Sequence, residues 1–180
     1  MTSLLATLGN GHNLGPAPEG NVQENAIWFC LEVPTNDQKG NAMQMNPYLT
    51  FDGNCAEAMR FYERTFGGKL ELMTFDSSPM SDEIPKGHGN KIMHACLTTA
   101  DGQSLMASDS GPWAPFEGVK GITVALNFAK AADGKPVFDA LAKDGQVTMP
   151  LAKTFWAEAF GMVTDRFGTP WMINAGPIAV

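Results

Sequence analysis

Apolar positions along this chain switch between a period of two and a period near 3.6, and the switches outline a fold. Residues 47–51 (PYLTF) form a short strand-like run that ends in the turn residues Asp52-Gly53-Asn54. From Cys55 to Phe66, the apolar residues Ala58, Met59, Phe61, Tyr62 and Phe66 fall at helical spacing. Asn54 sits at the N-cap position and Gly67-Gly68 provides the stop. Strand composition returns at 69–75, a polar loop runs to Asn90, and 91–99 and 104–108 read as two strands joined by a hairpin at Asp101-Gly102. The order is β-α-β-β-β.

After a connection at 110–120 the same order recurs. A strand at 122–128 precedes a helix at 136–143 that closes on Asp144-Gly145, and a strand follows at 146–149. Two more strands, 156–164 and 170–174, meet at Arg166-Phe167-Gly168. In both halves a turn glycine precedes a methionine at the same interval, Gly102 to Met106 and Gly168 to Met172, so the pattern predicts a duplicated unit. The fold class expected is α+β, with two tandem βαβββ units at about 46–109 and 120–175. Residues 1–44 are broken by Gly and Pro and read as an irregular extension, dispensable for the compact domain expected at 45–176; only 26–33 (AIWFCLEV) is apolar enough for a strand.

Composition narrows the function classes. At 180 residues and 44% hydrophobic, the chain can bury one full-sized core. Its 12 Lys+Arg against 19 Asp+Glu give a net charge of −7, without the basic cluster that nucleic-acid binding needs. No run approaches the roughly 20 apolar residues of a membrane span, and no Lys or Arg precedes the short apolar run near Met1, so a cytoplasmic protein is expected. Cys30, Cys55 and Cys96 are odd in number and include no CxxC pair, so reduced thiols are expected. Cys55 is read as a small apolar residue in the first helical turn, against the alternative of a thiol activated by the helix dipole.

The strings NPYLTFDGNCAEAMRFYERTFGG, KIMHACLTTADGQSLMASD and TFWAEAFGMVTDRFGTPWMIN resemble the PhnB-like branch of the vicinal-oxygen-chelate (glyoxalase/bleomycin resistance/dioxygenase) superfamily, often labelled 3-demethylubiquinone-9 3-methyltransferase-like. The resemblance covers about residues 45–176 and implies mixed, curved sheets that form a cup-shaped cavity, and a homodimer. The methyltransferase label has no support in the residues, because Gly9-Asn10-Gly11 follows no strand and precedes no helix. Catalytic members of the superfamily hold a divalent metal on the first and last strands of each unit. Transferred here, those positions are Pro47, Met106 (or Ala107 if the register slips by one), Thr123 and Met172, none a usual ligand for such an ion. No metal or other cofactor is therefore expected.

His94, mid-strand in IMHACL, reads either as a donor or general base at a cavity wall or as a core histidine with a local partner. Asp165 reads as a turn former and Glu158 as solvent-facing. Strand alternation puts Phe51, Met106, Thr123, Met172 and Asn174 on the concave face and Val124, Leu126, Trp171 and Ile173 against the helices; Trp156 either flanks the cavity or completes the core. The binding residues expected are thus Phe51, His94, Met106, Thr123, Trp156, Met172 and Asn174. Two readings stay open: a protein that binds a small, partly apolar molecule, or an enzyme that works without a metal or with one held by residues such as His94 and Asp109. Trp113 and Phe116, in the stiff connection between the units, are the expected anchors of a dimer interface.

Overall fold

The computed structural model describes residues 44–79, 81–111 and 115–178. The first unit runs β1 (Tyr48–Phe51), α1 (Cys55–Phe66), β2 (Lys69–Thr74), β3 (Ile92–Thr98) and β4 (Ser104–Asp109). The second runs β5 (Val124–Phe128), α2 (Ala131–Ala142), β6 (Gln146–Ala152), β7 (Ala157–Thr164) and β8 (Pro170–Pro177). Each unit forms a four-stranded mixed sheet, ordered β1-β4-β3-β2 and β5-β8-β7-β6. In each, the first strand lies parallel to the last and the other pairs are antiparallel. The parallel pair needs a crossover, which the helix provides. The duplicated α+β architecture is therefore as the sequence predicts. The extension expected at 1–44 lies, apart from Gln44, outside the described residues.

The duplication extends to hydrogen bonds. In the first hairpin Gly102 N–H donates to Thr99 O and Thr99 N–H to Gln103 O; in the second Gly168 N–H donates to Asp165 O and Asp165 N–H to Thr169 O. Gly102 (φ 81°) and Gly168 (φ 85°) occupy the left-handed region that these turns demand and that side chains disfavour.

Three elements extend beyond their expected bounds. The second helix begins at Ala131, with Pro136 inside it. Proline is favoured at a helix start, which made Pro136 look like one. Gly134 lies one turn in, where a Cβ would come within 2.8 Å of the Ala175 Cβ, so the helix can approach β8 closely only with glycine there. Strand β6 runs through Pro150 to Ala152, tolerated because β6 is an edge strand. Strand β8 continues past Asn174 to Pro177.

One apolar core spans both units. Leu49, Phe51, Ala58, Met59, Tyr62, Ala95, Leu97 and Ala107 join Phe138, Leu141, Val163, Trp171, Ile173 and Ala175. The helices thus cover one face of each sheet, and Val124, Leu126, Trp171 and Ile173 take the helix side as alternation predicts. Phe51 belongs to this core at 1% exposure, so its expected place on the concave face is wrong.

Two buried aspartates position the chain. Asp109 accepts from Cys55 N–H at 2.9 Å and Ile92 N–H at 2.7 Å, tying the end of β4 to the start of α1. Asn54 makes no side-chain cap, so Asp109 supplies the acceptor that the sequence assigned to Asn54. Asp165 accepts from its own turn, Phe167 N–H and Thr169 N–H, and also from Trp171 Nε1 at 2.8 Å and Tyr62 Oη at 2.6 Å. The last bond reaches from α1 into the second unit. Burial, reinforced by the Asp165 charge, pushes the Tyr62 pKa far up and keeps the hydroxyl a donor. Outside it, Arg166 stacks over Phe61 (4.9 Å) and Phe167 (4.7 Å).

Asp165→Ala leaves buried donors unpaired and should cost about 3–5 kcal/mol in urea unfolding, whereas Tyr62→Phe, which removes one bond and keeps the ring, should cost about 1–2 kcal/mol. Equal effects would show that the carboxylate acts through that single bond.

Candidate functional site on the two helix-distal faces

The strand registers define rows of side chains that point away from the helices. In the first sheet one row reads Tyr48, Met106, Cys96, Glu71, from β1 across β4 and β3 to β2. The neighbouring row contains Thr50 and Ser108 on one side and His94 and Met73 on the other. In the second sheet the corresponding rows are Ala125, Met172, Met162, Met149 and Asn127, Asn174, Phe160, Ala152. Equivalent positions therefore differ in chemistry: the first face is polar and ionisable, the second is methionine-rich with one amide pair.

Tyr48 Oη lies 3.4 Å from His94 Nδ1, a long contact. Burial raises the Tyr48 pKa, with Ser108 hydrogen-bonding to its hydroxyl in the opposite sense and Cys55 adding a smaller upward effect. Burial likewise lowers the His94 pKa, so the imidazole is neutral at pH 7. The contact to Nδ1 is compatible with either tautomer, and the other ring nitrogen, Nε2, is buried without a partner. On the second face Asn174 Nδ2 donates to Asn127 Oδ1 at 3.1 Å, while Asn174 Oδ1 is buried and unpaired. Trp156 packs edge-on against Phe160 and against Phe155, which is 76% exposed, at the rim of this face.

Of the residues expected at the site, His94, Met106, Met172 and Asn174 lie on these faces, with Trp156 beside the second. Phe51 does not, and Thr123 precedes β5 instead of lying in it. The register also corrects the transferred metal positions. Tyr48, not Pro47, opposes Met106, and Ala125, not Thr123, opposes Met172. A phenol, an alanine and two thioethers do not suit a hard divalent ion. Among the described residues no group of three or more His, Cys, Asp or Glu could hold a metal. His94 and Asp109 cannot cooperate as a ligand pair, because Asp109 points to the helix side.

Sequence reasoning missed Tyr48, Ser108, Met149, Phe160 and Met162. The available signal was the alternation in PYLTF, whose more apolar members, Leu49 and Phe51, belong inside. Cys55 is free and buried, its thiol pKa pushed far up by burial and then by Asp109, which removes the activated-thiol alternative. Cys96 is disulfide-bonded, contrary to the expectation of reduced thiols, with its partner outside the described residues.

The lowered His94 pKa fixes the sign of a pH effect. Protonation favours the unfolded chain, so this contribution to stability is present above about pH 6.5 and is lost as pH falls below it. His94→Gln should flatten the decline in melting temperature between pH 7 and pH 5, and NMR should titrate the wild-type imidazole below its ordinary value. A titration above that value would contradict the burial argument.

The sequence profile of the 3-demethylubiquinone-9 3-methyltransferase family matches residues 43–174. Protein YjdN of Escherichia coli K12 is 39% identical over 141 residues, 73% of this chain and 95% of that protein. The crystal structure of PA1353 from Pseudomonas aeruginosa is 47% identical with a TM-score of 0.69, covering 74% of this chain and 98% of that one. A PhnB protein from Bacillus cereus, described as a putative 3-demethylubiquinone-9 3-methyltransferase, is 27% identical with a TM-score of 0.60, covering 74% and 99%. A glyoxylase/bleomycin resistance protein/dioxygenase domain from Frankia shares the fold at 17% identity and a TM-score of 0.50, covering 76% and 99%. The paired βαβββ units, the register of the two faces and the match over 43–174 together place this chain in the PhnB-type 3-demethylubiquinone-9 3-methyltransferase family, with the glyoxalase-like fold.

Proposed function

We propose that this protein binds a small, partly apolar molecule against the helix-distal faces of its sheets, without a metal. The observation that carries this reading is the pair of unpartnered buried atoms, His94 Nε2 and Asn174 Oδ1, one on each face, with Met73 opposite His94 and Asn127 opposite Asn174. A buried polar atom without a partner costs about 1–3 kcal/mol, which a ligand recovers by pairing with it. His94 Nε2 asks for a hydrogen-bond partner and Asn174 Oδ1 for a donor, so the ligand carries polar groups that meet both. Met149, Met162 and Met172 supply an adaptable apolar wall.

Methyl transfer from a nucleotide cofactor finds no support in this architecture, because the described residues form two mixed antiparallel-rich sheets and not a doubly wound parallel one. A metal-independent enzyme is the second reading. One observation favours it: Tyr48, Ser108 and a neutral His94 bring two hydroxyls and an imidazole together, enough for proton transfer to or from a bound substrate.

The same reading includes a homodimer. Tyr48 is 50% exposed, and Val147 and Met149 are each 43% exposed, so apolar and aromatic surface remains for a second copy to cover. Phe116 lines a cavity of about 270 Å³ with Tyr48 at the β1 edge, consistent with an anchor near that surface; Trp113 lies outside the described residues.

Native mass spectrometry should find a co-purified small molecule. His94→Ala and Asn174→Ala should each weaken its binding roughly tenfold, about 1.4 kcal/mol, with the fold intact by circular dichroism. Chelators should leave binding unchanged; loss of binding on chelation would sink the metal-free reading. Light scattering should show a dimer at micromolar concentration, weakened by Phe116→Ser.

A further inference from the structure

We propose that the Asn127–Asn174 pair on the second face recognises the N–H and C=O edge of a lactam or cyclic imide, carried by a flat, neutral heterocycle. This rests on the ligand-binding reading above and gives that ligand a chemical class.

Asn127 and Asn174 are cross-strand partners on β5 and β8, and Asn174 Nδ2 donates to Asn127 Oδ1 at 3.1 Å. That bond leaves Asn174 Oδ1, buried and unpaired, as an acceptor, and Asn127 Nδ2, on an exposed residue, as a donor. Exchanging oxygen and nitrogen on both amides reverses the bond and again leaves one donor and one acceptor. The couplet is therefore a property of the two residues, whichever way their amides are turned.

A group that satisfies the couplet presents one donor beside one acceptor. A carboxylate brings only acceptors and an ammonium only donors, so each leaves one member of the couplet unpaired. An amide whose N–H and C=O lie on the same edge pairs both, and the ring of a lactam or cyclic imide locks it in that form.

The surroundings select for a flat, uncharged body. Phe160 opposes Asn174 across β7 and β8, and Trp156 packs edge-on against it at 5.2 Å. Met172 and Met162 form the next row, so a planar ring finds aromatic and thioether surface beside the amides. Glu158 lies on the other side, against Gly176, where its charge disfavours an anionic ligand.

The first sheet supplies a contrast. Its positions equivalent to Asn127 and Asn174 are Thr50 and Ser108. A hydroxyl turns either to donate or to accept, so that pair imposes no fixed order of donor and acceptor. The couplet is particular to the second face.

The test uses three molecules of one bicyclic shape: carbostyril, a lactam; N-methylcarbostyril, which lacks the N–H; and coumarin, in which a ring oxygen replaces it. Calorimetry on the full chain should show carbostyril binding at least about tenfold tighter than either analogue, and NMR should show its effect on the side-chain amide signals of Asn127 and Asn174. Asn127→Asp keeps an oxygen to accept from Asn174 Nδ2 but removes the free donor at an exposed position, so the fold should persist and the preference for carbostyril should vanish. Equal affinities for the three molecules, a preference that survives Asn127→Asp, or signals that move only at Tyr48 and His94 would overturn the proposal while leaving small-molecule binding standing. Failure of carbostyril to bind at about millimolar concentration would overturn it too, and the co-purified molecule sought above tests the broader reading separately.

Discussion

Asp165 accepts four hydrogen bonds from inside the core, and they come from two different halves of the chain. Two shape its own turn, a third fixes the Trp171 indole, and the fourth comes from Tyr62 on the first unit's helix. A carboxylate taken out of water is tolerated only when its oxygens are this fully satisfied. Turn, indole and helix must therefore settle together, and their common position sets how the two units meet. The aromatic packing of Tyr62 on Trp171 (5.2 Å) and Phe66 on Trp171 (5.3 Å) follows from that placement. Because the joint is on the helix side, each sheet's other face takes no part in it.

Much of this was legible because duplication checks itself. Two hairpins with the same glycine-to-methionine interval fixed the register of β4 against β8, so Met106, Met172 and Asn174 were assigned to the correct faces. The first strands have no such marker. In PYLTF a slip of one residue inverts every side chain, which is how Phe51 was placed outward and Tyr48 overlooked. Thr123 failed for a related reason: it shares parity with Ala125 and Asn127 but lies one residue before the ladder begins. The errors at α2 and β6 both arose from proline, which reads as punctuation in a sequence yet is harmless inside α2 and on a sheet edge.

Long-range satisfaction was not legible. Nothing local to Asn54 says that Asp109, at the far end of β4, will bind the first amide of α1, and nothing in TDRFG says that Tyr62 will reach it. Likewise, His94 could be read from sequence as either functional or structural. The structure places it beside Tyr48 with Nε2 buried and without a partner.

The two faces also constrain what kind of recognition is possible. Had both units kept acidic or imidazole side chains at equivalent positions, a ligand could be gripped by a shared cation. Here Tyr48 corresponds to Ala125, Cys96 to Met162, Glu71 to Met149 and His94 to Phe160, so the faces have diverged into a polar half and an apolar half. An apolar wall discriminates weakly, by about 1–3 kcal/mol per methylene, whereas a site with unpaired buried polar atoms rejects a molecule that cannot pair them far more strongly. On the proposed reading, specificity would therefore rest on His94 and Asn174, and the methionine row would set how large and how varied the rest of a ligand can be.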